Sequence, residues 1–277
     1  MVSSEQRRKQ LAREKFERQR KRREAARRKA RIRNAAIALG VVLVLVAGGA
    51  YAATGGLNGD EKKKDEAAGD KTPSKAPDPC DKPAEGTPNG KQWKKEPAMK
   101  VDRSASYRMG LDTTCGRIGI DMDAGKAPHT VNSFSFLAGE KFFDHTPCHR
   151  LVDDKKTHVL QCGDPQGTGQ GGPGYTIPDE NLKDSRIKGE KYPAGTVAMA
   201  NQYDAKTGKG RDSGGSQFFL VFEDSELPPD YTPFGTITEG MGVLKKIAKA
   251  GSIPDPQTRN TPPNATVVID KATARKS

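Results

Sequence analysis

Chemistry needs polar side chains held beside something they can act on, and one stretch of this 277-residue chain offers that at once. Asp212-Ser213-Gly214-Gly215-Ser216-Gln217-Phe218-Phe219-Leu220-Val221-Phe222 has a small, flexible entry followed by the densest aromatic run in a chain that is only 6% aromatic. Read as a strand, the run sends alternate side chains to opposite faces. Gln217, Phe219 and Val221 then share one face, and Phe218, Leu220 and Phe222 share the other. One face is wholly apolar, as a core demands. The other sets a polar hook beside an apolar floor, a combination suited to a peptide pocket. A buried strand carrying one tolerated Gln fits the segment equally well.

Other residue patterns suggest different chemistries. Gly167-Thr168-Gly169-Gln170-Gly171-Gly172 satisfies the glycine spacing of a dinucleotide loop, but Pro173-Gly174 follows where a helix must begin. Asp212-Ser213-Gly214-Gly215 looks like the nucleophile loop of trypsin-like proteases, yet no upstream His-Cys motif accompanies it. His145, Cys148, His149 and Cys162 have the residue types of a zinc site.

The elements that must position these groups begin well into the chain. The formal net charge is +12, but residues 1–34 alone contain 15 Lys/Arg and 4 Glu. The remainder holds 32 basic against 31 acidic residues, so basicity is local to one tail and no nucleic-acid partner is expected. Residues 35–53 carry no charge. As a helix they reach roughly 28 Å, close to the ~30 Å hydrocarbon core. The basic lead predicts a transmembrane anchor with the N-terminus inside, or a secretory signal cut near Ala50-Tyr51-Ala52. Either way the rest is exported, at the cell membrane or beyond it. Residues 54–98, rich in Gly, Pro and charge, read as a flexible linker in which Cys80 and Trp93 are anomalies able to dock on the folded part.

From residue 99 to 277 short apolar runs alternate with turn residues, the pattern of an all-β domain. Residues 107–111 and 117–122 alternate around a turn at Thr113-Thr114-Cys115-Gly116. Val131, Phe134 and Leu137 fall at helical spacing, with Pro128 suited to the first turn and Gly139 to the end. A second helix is expected at Met241–Ala250, with Val243, Leu244 and Ile247 as its stripe and Gly251 as its stop.

Several motifs then occur in order: Phe142-Phe143-Asp144, Cys148-His149-Arg150, Val159-Leu160-Gln161-Cys162-Gly163-Asp164, Gly195-Thr196-Val197-Ala198-Met199-Ala200-Asn201, Gly215-Ser216-Gln217-Phe218-Phe219 and Phe234-Gly235. Together they resemble the cyclophilin family of peptidyl-prolyl isomerases over roughly residues 107–269. That resemblance implies an eight-stranded closed antiparallel barrel capped by two helices, with a substrate groove on its outer surface and no cofactor or metal. It implies that Arg150, Gln161 and Phe219 carry catalysis. His158, Val159, Ala200, Asn201, Gln217, Leu227 and Tyr231 then contact substrate.

The sequence departs from the family pattern in places. His158-Val159 replaces a Phe-Met pair, about three extra residues fall within 151–157, Glu226 stands for a tryptophan and Tyr231 for a histidine. Residues 227–235 look like the bacterial branch, and the span expected at 35–53 makes it a membrane-anchored member. In an exported domain of this kind Cys148–Cys162 is expected to pair as a disulfide rather than bind zinc, leaving Cys80–Cys115. The partners implied are proline-containing segments of exported or unfolded proteins, met by a monomer.

Overall fold

Strand alternation and two apolar helix stripes account for most of the architecture. The computed structural model describes residues 77–253 and 261–277, within a unit spanning Thr72–Ser277. The basic tail, the proposed membrane span and the first half of the linker, up to residue 76, lie outside the described residues. Among the described residues no helix is long and apolar enough to cross a membrane.

Among the described residues, eleven strands and two helices run in the order β1 (Tyr107–Thr113), β2 (Gly116–Met122), α1 (Pro128–Gly139), β3 (Thr146–Pro147), β4 (Arg150–Asp153), β5 (His158–Cys162), β6 (Lys191–Tyr192), β7 (Thr196–Met199), β8 (Phe218–Val221), β9 (Ser225–Glu226), β10 (Pro233–Glu239), α2 (Met241–Ala250) and β11 (Val268–Lys276). Both helices and the first hairpin fall where the spacing predicts them. Nine strands form one antiparallel sheet, ordered β3-β11-β1-β2-β10-β7-β8-β5-β4, and β6 pairs with β9 separately. This corrects the expected eight-stranded closed barrel. The sheet curls round, but no ladder joins its two end strands, β3 and β4. They are consecutive in the chain, separated only by Cys148 and His149, which take part in no strand. Cys148 N–H instead donates to the Val267 carbonyl (2.9 Å) and Leu151 N–H to that of Thr261 (2.8 Å).

Phe134 of α1 is the hub of the core, meeting Phe143 at 5.3 Å, Phe218 at 5.5 Å and Phe234 at 4.6 Å between ring centroids. Leu244 and Ile247 of α2 are buried against the same cluster. Gly240 precedes α2 with a φ of 89°, and a Cβ there would lie 2.4 Å from the Arg117 carbonyl oxygen, so only glycine fits.

Helix α1 buries polar residues as well, because it is covered on two sides. Residues that the composition assigns to the linker lie along it as a strap. Cys80 is disulfide-bonded to Cys115. The Asn89 amide donates to the Glu140 and Lys141 carbonyls, each at 2.9 Å. Trp93 packs edge-on to Phe136 (5.1 Å), and the Asn132 amide oxygen accepts from Lys100 N–H at 2.8 Å. The anomalous cysteine and tryptophan do dock, and the folded unit takes in residues from 77 onward.

Candidate active site

The outer face of β4, β5, β8 and β7 is a small grid fixed by strand register. Arg150 lies opposite Gln161, Gln161 opposite Phe219, and Phe219 opposite Ala198. Two residues along, Val152 faces Val159 and Val159 faces Val221. Phe219, Val159, Val221 and Ala198 form a buried cluster with Tyr192, separate from the main core, with Ala200, Leu227 and Tyr231 packed against it. Phe218, Leu220 and Phe222 belong to the main core. The alternation expected of β8 holds at every position.

Tyr231 meets Phe219 at 5.2 Å and 90°, and Tyr192 meets it at 6.3 Å. The Tyr192 hydroxyl also donates to the carbonyls of Pro228 (3.3 Å) and Tyr231 (3.1 Å), so it holds the loop that carries Leu227 and Tyr231 over the cluster. Burial pushes the Tyr192 phenol up to about 12, and burial raises that of Tyr231 although the Arg150 charge acts the other way. Both remain neutral at pH 7.

A polar line borders this apolar patch. Arg150 is exposed, makes no ion pair with any described residue, and donates from Nη1 to Gln161 Oε1 over a long 3.4 Å. Gln161 Nε2 donates to Gln217 Oε1 (2.9 Å), and Gln217 Nε2 to the Gly171 carbonyl (2.9 Å). Each amide fixes the orientation of the next, leaving the guanidinium at the open end with only one long hydrogen bond among the described residues. Asn201 donates to the Asp230 carbonyl at 2.7 Å, and with Ala200, Gln161 and Gln217 it lines a groove of about 810 Å³.

His158 is the exception among the expected contacts. Being next to Val159 in a strand, it points to the opposite side. There its ring meets Phe222 at 5.9 Å and Nδ1 bonds the Asp153 carboxylate at 2.7 Å. It is therefore not part of the pocket. Glu226 turns away to Lys156 (2.6 Å).

The other chemistries lose their geometry. Cys148 and Cys162 are disulfide-bonded, so neither offers a zinc-binding thiolate. The Ser213 hydroxyl donates to the Gly210 carbonyl at 2.5 Å. No helix follows the Gly167–Gly172 repeat, which instead wraps a carboxylate.

That carboxylate, Asp164, is a residue whose importance the motif reading left unassigned. It is fully buried and accepts from the N–H groups of Gln166 (2.8 Å), Thr168 (2.9 Å), Gly169 (2.7 Å) and Gly171 (3.1 Å). Burial alone would raise its pKa, but these donors prevail and hold it below the usual carboxylate range. Asp followed by a Pro/Gly-rich run is a turn signal that could have exposed this role. Gly163, with φ of 92°, lets the chain leave β5 here. A Cβ would meet the Ser216 carbonyl oxygen at 2.2 Å. His149, a zinc candidate by residue type, is buried beside this loop instead. The residue is 5% exposed, neither ring nitrogen has a hydrogen-bond partner of good geometry among the described residues, and burial lowers its pKa.

Comparison with known proteins places this geometry. The pattern of the family described as cyclophilin type peptidyl-prolyl cis-trans isomerase/CLD matches residues 108–274. The chain belongs to that family. It is 42% identical over 181 residues to a probable peptidyl-prolyl cis-trans isomerase B of Mycobacterium leprae, covering 62% of this chain and 59% of the relative. It is 44% identical over 155 residues to the corresponding protein of Mycobacterium tuberculosis, covering 53% and 48%. A peptidyl-prolyl cis-trans isomerase of Helicobacter pylori is 39% identical over 146 residues, covering 52% of this chain and 80% of that protein. The matches thus span about half the length of the two mycobacterial relatives.

Proposed function

We propose that this chain is a peptidyl-prolyl cis-trans isomerase acting on X–Pro bonds of exported or unfolded proteins. The observation that carries this reading is a guanidinium with no ion pair among the described residues, set across one strand pair from Gln161, beside the apolar pocket of Phe219, Val159, Leu227 and Tyr231. Amide resonance gives X–Pro rotation a barrier of about 18–20 kcal/mol. With the pyrrolidine ring in the pocket, Arg150 donates to the prolyl nitrogen as it pyramidalises. That bond exists only in the twisted state, so it lowers the barrier rather than merely binding substrate. Gln161 holds the substrate carbonyl, and Asn201 and Ala200 hold neighbouring backbone. No nucleophile, metal or cofactor is required.

In this reading the enzyme is a monomer of the bacterial membrane-anchored branch, single-pass, with its catalytic domain outside the cytoplasm. Supporting this are the charge-free run at 35–53 behind a basic tail and the pairing of all four cysteines, which suits an oxidising compartment. The full chain is expected to accelerate cis-to-trans conversion of a proline peptide, and Arg150→Ala to lower kcat/KM about 10²–10³-fold, as for loss of a transition-state donor elsewhere. A wild-type chain that binds the peptide without accelerating conversion is a binding module instead. Protease treatment of intact cells tests the topology: a catalytic domain protected in intact cells and cut only after lysis overturns it.

A further inference from the structure

The groove does not end at Gln161 and Gln217. Its far wall is built by Gln92, Lys94, Lys95 and Glu96, which precede the residues 108–274 matched by the family pattern. This part of the strap is firmly placed. Trp93 N–H donates to the Pro173 carbonyl at 2.8 Å, and its ring lies 5.1 Å from Phe136 and 5.9 Å from Phe142. At the other end Glu96 takes the His129 ring nitrogen at 2.6 Å. Between these two anchors, Lys94 and Lys95 are exposed and form no ion pair with any described residue. Glu96 is the sole acidic side chain among the described residues lining the groove, and it is already engaged; apart from the two lysines the rest of the lining is uncharged. The wall is positive, and nothing within the described protein neutralises it.

We propose that the strap is a specificity element, Lys94 and Lys95 selecting substrates with acidic residues a few positions from the proline, on the side that crosses Gln161 and Gln217. This rests on the proposed reading only in seating the proline at Phe219. Exposed ion pairs give modest gains, about two- to fivefold each. They are screened over about 10 Å at 0.1 M salt, so the preference fades as salt rises.

The test uses the full chain and fluorescent peptides sharing one Ala-Pro centre, with two Glu or two Lys placed before or after it. Both dissociation constants and isomerisation rates are measured at low and high salt. On one side of the proline, the Glu peptide is expected to bind about three- to tenfold more tightly than its Lys counterpart at low salt. In Lys94→Glu/Lys95→Glu that order reverses, whereas Lys245→Glu/Lys246→Glu, an equal charge change on α2, keeps it. Equal binding of all peptides by the wild type overturns the proposal, as does an equal response of the two double variants. A chain that binds with the charge preference but does not isomerise sinks the enzymatic reading and leaves the strap's role standing. One that isomerises without preference does the opposite, and failure to bind any proline peptide overturns both.

Discussion

Phe218 and Phe219 are adjacent in β8, yet they belong to differently built halves of the molecule. Phe218 faces inward, where Phe134 and Phe143 enclose it at 5.5 and 6.0 Å within a core that continues through both helices. Phe219 faces outward, where its ring partners are Tyr192 and Tyr231, both set around a loop tied down by hydrogen bonds. The inner face is over-determined by packing. The outer face has the minimum that keeps its pocket shaped, and its polar groups retain bonding capacity, as Arg150, without an ion pair among the described residues, illustrates. Stability and chemistry are thus divided between alternate residues of the same strands.

Substitutions that separate the two faces test that division. Phe218→Ala is expected to have the largest effect, a loss of about 3–5 kcal/mol of stability in chemical denaturation, as for large cavities in cores. The kcat/KM of whatever remains folded should change little. Asp164→Ala joins the faces, since it strands several N–H donors of the loop that carries Gly171. A cost of about 1–3 kcal/mol is expected, with a rise in KM through the lost Gln217 anchor. Phe219→Ala should invert the Phe218 result, raising KM about tenfold through lost apolar contact with proline while costing less stability than Phe218→Ala. Equal stability losses for the two phenylalanines would end the comparison.

The smallest effect expected is one of pH. His149 lies beneath the polar line with its folded pKa lowered by burial, against an unfolded value near 6.5. The unfolded chain therefore binds the extra proton, and stability should fall as pH drops below about 6.5. Asp164 also has a folded pKa held low, so its contribution is likewise lost on acidification, but only as pH falls through and below the carboxylate range. Melting temperatures between about pH 7 and 5 should decline in the wild type and flatten in His149→Gln; identical slopes would remove His149 from the account.

What the sequence discloses follows the same division. Period-two alternation assigned Phe218 and Phe219 to their faces, and Pro128, Gly139 and Gly251 marked helix ends, because these signals are local. The same alternation argues against His158 in the pocket once Val159 is placed there, so that correction was available from the strand itself. The strap was illegible for a different reason. Its composition cannot support a core of its own, and it is ordered by a distant disulfide, one tryptophan and hydrogen bonds to α1, none of which has a local signature. The open ladder between β3 and β4 also escaped notice, because the break is set by what Cys148 and Leu151 bond to far along the chain.

The Cys80–Cys115 link also determines how the domain bears load. A pull on the chain ahead of Cys80 divides there, and the shorter covalent route runs through the disulfide into the turn between β1 and β2. That turn is stitched on both sides, to β11 through Thr114 and to α2 through the contact of Gly116 with Val243. The strap downstream of Cys80 is left slack, and with it the wall that carries Lys94 and Lys95. Tension on the N-terminal side is thereby led into the β1–β2 turn and its β11 hydrogen bonds and kept away from the groove.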